Sequence, residues 1–84
     1  MTKVLFFGKL SDDLGLRSFQ LAPQADVSIT EIVQQLAELN DASWAELLLA
    51  NNIIAAVDKT IENDRNKRFA SILEIAFFPP VTGG

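Results

Sequence analysis

Ile72-Leu73-Glu74-Ile75-Ala76-Phe77-Phe78, running straight into Pro79-Pro80, is the stretch on which the fold turns. It is rich in β-branched and aromatic residues, so it reads as a strand. Proline has no N–H to give to a ladder, so the sheet is expected to stop at Phe78. Alternate strand residues face opposite sides of a sheet. Leu73, Ile75 and Phe77 are then predicted to share one face, and Ile72, Glu74, Ala76 and Phe78 the other. A charged residue belongs on the side away from a helix layer, which puts Phe78 on the outer face. The apolar run near the start, Thr2 to Gly8, divides the same way: Val4 and Phe6 against Lys3, Leu5 and Phe7. If these two strands are neighbours, Phe7 and Phe78 form an exposed apolar patch. A patch of that kind marks a partner surface, the alternative being a loop that covers it.

Between these two strands the chain supplies a helix layer. Lys9 to Leu16 holds Ser11-Asp12-Asp13 and Gly15 and reads as a loop or a single helical turn. Arg17 to Ala22 alternates and stops before Pro23, giving a second strand that pairs with the first as a hairpin. Ser28 and Glu31 have capping-box spacing, and Val27 with Ile32 stand where a hydrophobic staple would be. Ile29, Ile32, Val33, Leu36 and then Leu39 or Ala37 make one buried helical stripe. Asn40-Asp41 ends it, and a shorter helix with Trp44, Leu47 and Leu48 follows over Ser43 to Ala50, Trp44 reading as core. Ile53 to Val57 is a third strand, and Asn63-Asp64-Arg65-Asn66 is a turn. The order ββαβ plus a closing strand predicts an α+β domain with a mixed sheet.

Composition narrows the chemistry. The chain has 84 residues, 49% hydrophobic and 21% charged, which suits one globular domain. There is no cysteine and no histidine. Disulfides, thiolate catalysis and cysteine-ligated zinc are thereby excluded, as are the usual general base and every Ser-His or Cys-His nucleophile. Net charge is −4, so the basic footprint of a nucleic-acid binder is missing. The apolar runs are far shorter than a membrane span, and Met1 to Gly8 is better read as a strand than as a signal segment. A cytoplasmic location is expected. Asp12-Asp13 reads as a solvated turn, with no further acidic ligands at the spacing a metal needs. Arg65, Lys67 and Arg68 read as another solvated turn, docking to an acidic partner being the alternative.

Beyond Phe78 the residues become stiff, then small, then bare: Pro79, Pro80, Val81, Thr82, Gly83, Gly84. The chain is accordingly divided into a domain over 1–78 and a flexible tail over 79–84. Such an arm would reach roughly 20 Å if extended, and glycine lets it pass a gap that any Cβ would block. The reactive group at its tip is the carboxylate of Gly84.

Lys3-Val4-Leu5-Phe6-Phe7, Ala55-Ala56-Val57 and, above all, Ala76-Phe77-Phe78-Pro79-Pro80-Val81-Thr82-Gly83-Gly84 closely resemble one family. It comprises the ubiquitin-like, β-grasp sulfur carriers that act as small subunits of molybdopterin synthase. The resemblance implies a mixed sheet with one main helix on one face and a protruding C-terminal tail. It implies a cycle in which an activating adenylyltransferase, related to ubiquitin-activating enzymes, uses ATP to adenylate Gly84, and sulfur from a sulfurtransferase displaces AMP to leave a thiocarboxylate. The tail then enters the large synthase subunit and gives its sulfur to a cyclic pyranopterin precursor, within a heterotetramer. No cofactor or metal is expected on the chain itself. By position the resemblance also assigns Phe7, Ile61 and Phe78 to the partner contact. Two places depart from the family: Ile72-Leu73 stands where a Gly-Asp turn is usual, and Asp58 where Asn is usual. The turn into the last strand is therefore expected to differ, or the strand to begin earlier. The other function classes compatible with the sequence are a carrier for thiamine or tRNA thiolation, and a ubiquitin-like modifier or binding module.

Overall fold

The structure, a computed structural model, describes residues 1–79. Its elements run β1 (Thr2–Phe6), α1 (Lys9–Leu14), β2 (Ser18–Leu21), β3 (Gln24–Val27), α2 (Ile29–Leu39), α3 (Ser43–Leu48), β4 (Ile54–Val57), β5 (Thr60–Ile61), β6 (Phe69–Ile72) and β7 (Glu74–Phe78). Five strands form the main sheet in the order β2-β1-β7-β4-β5, while β3 and β6 pair separately. β1 and β7 are parallel, and every other pairing is antiparallel. The two strands expected to be neighbours are therefore the centre of the sheet. The α+β mixed sheet read from the sequence is the observed architecture.

The main helix starts where its capping residues place it. Ser28 Oγ accepts from the Glu31 backbone N–H at 3.2 Å, and the Glu31 carboxylate accepts from the Ser28 backbone N–H at 2.9 Å. That reciprocal pair satisfies two of the donors a helix start leaves open. Ile29, Ile32, Val33 and Leu36 are fully buried beneath it. Ala37, not Leu39, completes the stripe: Ala37 packs on the core and Leu39 is exposed. On the inner face of the sheet Val4, Phe6, Ile75 and Phe77 are buried, as parity predicts. Phe6 stacks on Phe77 with centroids 6.0 Å apart and meets Trp44 edge-on at 5.6 Å.

Sequence parity fails in one place. Leu73 was expected on the inner face and Ile72 on the outer, yet Ile72 is buried and Leu73 is 73% exposed. The run is not one strand but two, β6 and β7, with Leu73 as the break between them. Parity does not carry across a break. β3, β5 and β6 were not anticipated, and the third expected strand begins at Ile54 as β4. The basic turn is also less solvated than expected. Arg65 is half-buried and donates to the carbonyls of Leu48, Ala50 and Ile53 at 3.3, 3.3 and 2.5 Å, tying the end of α3 to the start of β4. Arg68 bridges Asp26 and Glu31, and Lys67 pairs with Glu62.

Candidate functional site: an apolar sheet face at the root of the tail

β7 ends at Phe78, where the prolines begin. Just before that end, on the side away from α2, the rings of Phe7 and Phe78 lie stacked with centroids 4.7 Å apart and planes 6° from parallel. Phe7 lies one residue past β1, but its N–H still donates to the Phe77 carbonyl at 3.1 Å and so continues the ladder. The parallel register of β1 and β7 sets Phe6 against Phe77. One step on, Phe7 meets Phe78 on the opposite face. The same two strands thus carry an aromatic pair on each side of the sheet, one closing the core and one facing solvent. Phe7 is 42% exposed.

Strand register extends this pair into a surface. Ile54 stands opposite Phe78, and Leu5, Ala76, Ala56 and Ile61 form an unbroken row across β1, β7, β4 and β5. Ile61 is 62% exposed, and Leu5 and Ile54 are half-buried. The next row is polar: Lys3 lies opposite Glu74, with Asp58 at the end of β4. The apolar rows therefore stop on one side at charged residues and run on the other to Pro79.

Ile61 reaches this face through a two-residue hairpin. Asp58 and Lys59 both have positive φ, 47° and 72°, between Val57 and Thr60, which are paired. This is the left-handed turn that matches strand twist. Asp tolerates that conformation better than most residues. Asp58 also uses its carboxylate: Oδ1 accepts from the N–H groups of Leu73 and Glu74 at 3.1 and 2.9 Å. These two contacts hold the β6–β7 break at Leu73 in place.

Strand register brings Phe7, Phe78 and Ile61 to one face of the sheet, Phe7 and Phe78 as strand parity predicts. Leu5, which parity set beside Phe7, belongs to the same face. Ile54 and Ala56 also belong to it and were not anticipated, although their parity opposite to Ala55 and Val57 would have marked them. Pro79, the first tail residue, is half-buried beside Gly8. Pro80, Val81, Thr82, Gly83 and Gly84 lie outside the described residues.

The family model described as the ThiS family matches residues 4–84. The chain belongs to the ThiS family. Two curated relatives align with it from end to end. The molybdopterin synthase sulfur carrier subunit of Escherichia coli strain K12 is 34% identical over 84 residues, covering all of both chains. The protein of the same name from Haemophilus influenzae is 35% identical over 85 residues, again covering both in full. Among solved structures, the crystal structure of SAMP1 from Haloferax volcanii superposes with a TM-score of 0.78 at 20% identity, covering 99% of this chain and 98% of that one. The solution structure of small archaeal modifier protein 1 from Methanosarcina acetivorans gives 0.66 at 17% identity, over 99% and 95% of the two chains. At that identity these structures speak for the fold alone, which is the ubiquitin-like β-grasp. Among the described residues no helix of this ThiS-family chain is long and apolar enough to cross a membrane.

Proposed function

We propose that this ThiS-family chain is the sulfur-carrying subunit of a molybdopterin synthase, working from the carboxylate of Gly84. The observation that carries the reading is the Phe7–Phe78 stack set immediately before Pro79, an apolar docking face at the root of the diglycine tail. Full-length similarity to two molybdopterin synthase sulfur carrier subunits supports it. A carrier needs no catalytic side chains of its own, and the chain has neither histidine nor cysteine to supply them.

The chemistry is acyl activation. A carboxylate is a poor electrophile, so the Gly84 oxygen attacks the α-phosphorus of ATP on an activating enzyme, expelling pyrophosphate and leaving an acyl adenylate. The terminal sulfur of a sulfurtransferase persulfide attacks the carbonyl carbon and AMP leaves. A thiol then reduces the resulting acyl disulfide to the thiocarboxylate. Splitting one difficult substitution into easier ones is the usual logic of covalent activation. In the large subunit the thiocarboxylate sulfur attacks an electrophilic carbon of the pyranopterin precursor, and a carbon–oxygen bond at that carbon breaks with its oxygen as the leaving group. Water then cleaves the thioester, leaving sulfur on the pterin and a carboxylate on Gly84. A dithiolene needs two sulfurs and hence two loaded chains. The sheet face of Phe7, Ile61 and Phe78 docks the large subunit, and the tail beyond Pro79 enters its active site. ATP belongs to the activating enzyme and not to this chain, and the whole cycle is cytoplasmic.

Deleting Gly84 tests this directly. The shortened chain is expected to fold and to bind the large subunit with unchanged affinity, yet to support no dithiolene formation in a reconstituted synthase. Sulfur transfer by the truncated chain would overturn the proposal.

A further inference from the structure

β1 ends in an unusual corner. Gly8 has φ 59° and ψ −141°, a conformation open to glycine and strained for other residues. The corner is pinned on both sides. The Gly8 carbonyl accepts from the Ser11 N–H at 3.1 Å and from Ser11 Oγ at 2.8 Å, and the preceding N–H, that of Phe7, donates to the Phe77 carbonyl at 3.1 Å. Pro79 rests on this corner. A Cβ placed on Gly8 would stand 3.0 Å from Pro79 Cγ and 3.6 Å from Cδ, the nearer tighter than ordinary contact. By contrast, a Cβ on Gly15, the other described glycine at positive φ, would meet nothing within 4 Å.

We infer that Gly8 is a positioning residue: its missing side chain and fixed backbone form a seat for the Pro79 ring, which sets the direction in which the tail leaves the sheet. The inference rests on the sulfur-carrier reading for its consequence but not for its geometry. Proline contributes one stiff φ, so a ring held against a pinned corner restricts the direction in which the chain departs at Pro79. The docking face fixes where the carrier sits on its partner. The seat sets the departure at Pro79, and the two functions use different residues. Misplacing a reacting group by even an ångström is enough to slow chemistry severely.

The test separates contact, docking and transfer. In the free wild-type chain, a nuclear Overhauser effect between the Gly8 α-protons and the Pro79 ring is expected; its absence would overturn the seat. Thiocarboxylated Gly8→Ala, Pro79→Ala and the double variant are then compared with wild type in single-turnover transfer to the pyranopterin precursor on the large subunit. For each single variant, affinity for the large subunit is expected to stay within about twofold while transfer slows about tenfold. The double variant should be no slower than Pro79→Ala alone, because Gly8 acts only through that ring. Transfer at the wild-type rate in Pro79→Ala, or losses that multiply in the double variant, would overturn the positioning role. Pro79→Ala removes only the ring and keeps the Gly8 backbone as it is, so it decides the matter even if Gly8→Ala folds poorly. A wild-type chain that shows the contact but transfers no sulfur would instead overturn the sulfur-carrier reading and leave the seat standing.

Discussion

Asp58 shows how much one side chain can hold. It opens the β4–β5 hairpin at positive φ, and its carboxylate accepts two N–H groups across the β6–β7 break. Asp58→Ala loses both acceptor contacts and leaves alanine in a left-handed conformation, at a cost of about 2 kcal/mol. Asp58→Asn keeps the Oδ1 acceptor and the tolerance of positive φ, so it should stay within about 0.5 kcal/mol of wild type. Urea denaturation of the two variants checks this, and equal losses would show that the carboxylate contacts contribute nothing. None of this was legible from Asp58 itself. An Asp-Lys pair is a weaker hairpin signal than Asn-Gly, and its value here depends on Leu73 and Glu74, fifteen and sixteen residues away.

At the scale of elements, local signals were read well and non-local ones poorly. Ser28 and Glu31 announce α2 because both capping partners lie within one turn. The inner stack of Phe6 on Phe77 and the outer stack of Phe7 on Phe78 both follow from strand parity at β1 and β7. β3 and β6 carry four residues each and are strands mainly because they have each other. Their pairing joins parts of the chain more than forty residues apart, reinforced by Arg68 on Asp26. Short segments of that kind have little intrinsic preference to read. The capping box, with two carboxylate contacts to nearby backbone N–H groups, also makes a pH prediction. The Ser28 backbone N–H, helped by Arg68, holds the Glu31 carboxyl below its ordinary range. The Ser43 N–H does the same for Asp41, and the Asp64 N–H for Glu62. Groups whose pKa is lowered by folding stabilise the fold fully above their unfolded values, and that contribution is lost as pH falls through the folded ones. Stability should therefore drop on acidification through the carboxylate range. Glu31→Gln should shrink the drop, as followed by thermal unfolding against pH; an acid limb unchanged by this substitution would remove Glu31 from the account.

The whole molecule sets an apolar sheet face beside the first residue of a tail. The face was half legible: parity gave Phe7 and Phe78, resemblance gave Ile61, and only the register of β4 and β5 joined them through Ile54 and Ala56. As anchors of a docking surface, Phe7 and Phe78 should each cost about 1–2 kcal/mol of affinity for the large subunit when replaced by alanine. Because Phe7 lies outside the core, Phe7→Ala should leave the melting temperature nearly unchanged. Isothermal titration with the large subunit measures the loss, and unchanged affinity in both variants would make the face incidental. The claim that joins face and tail is that Gly84 carries sulfur. Intact-mass and fragment-ion spectrometry of the chain purified from its own cells tests it most directly. Replacement of one oxygen by sulfur at Gly84 is the predicted result, whereas a Gly84 found only as carboxylate or joined to lysine side chains would contradict it.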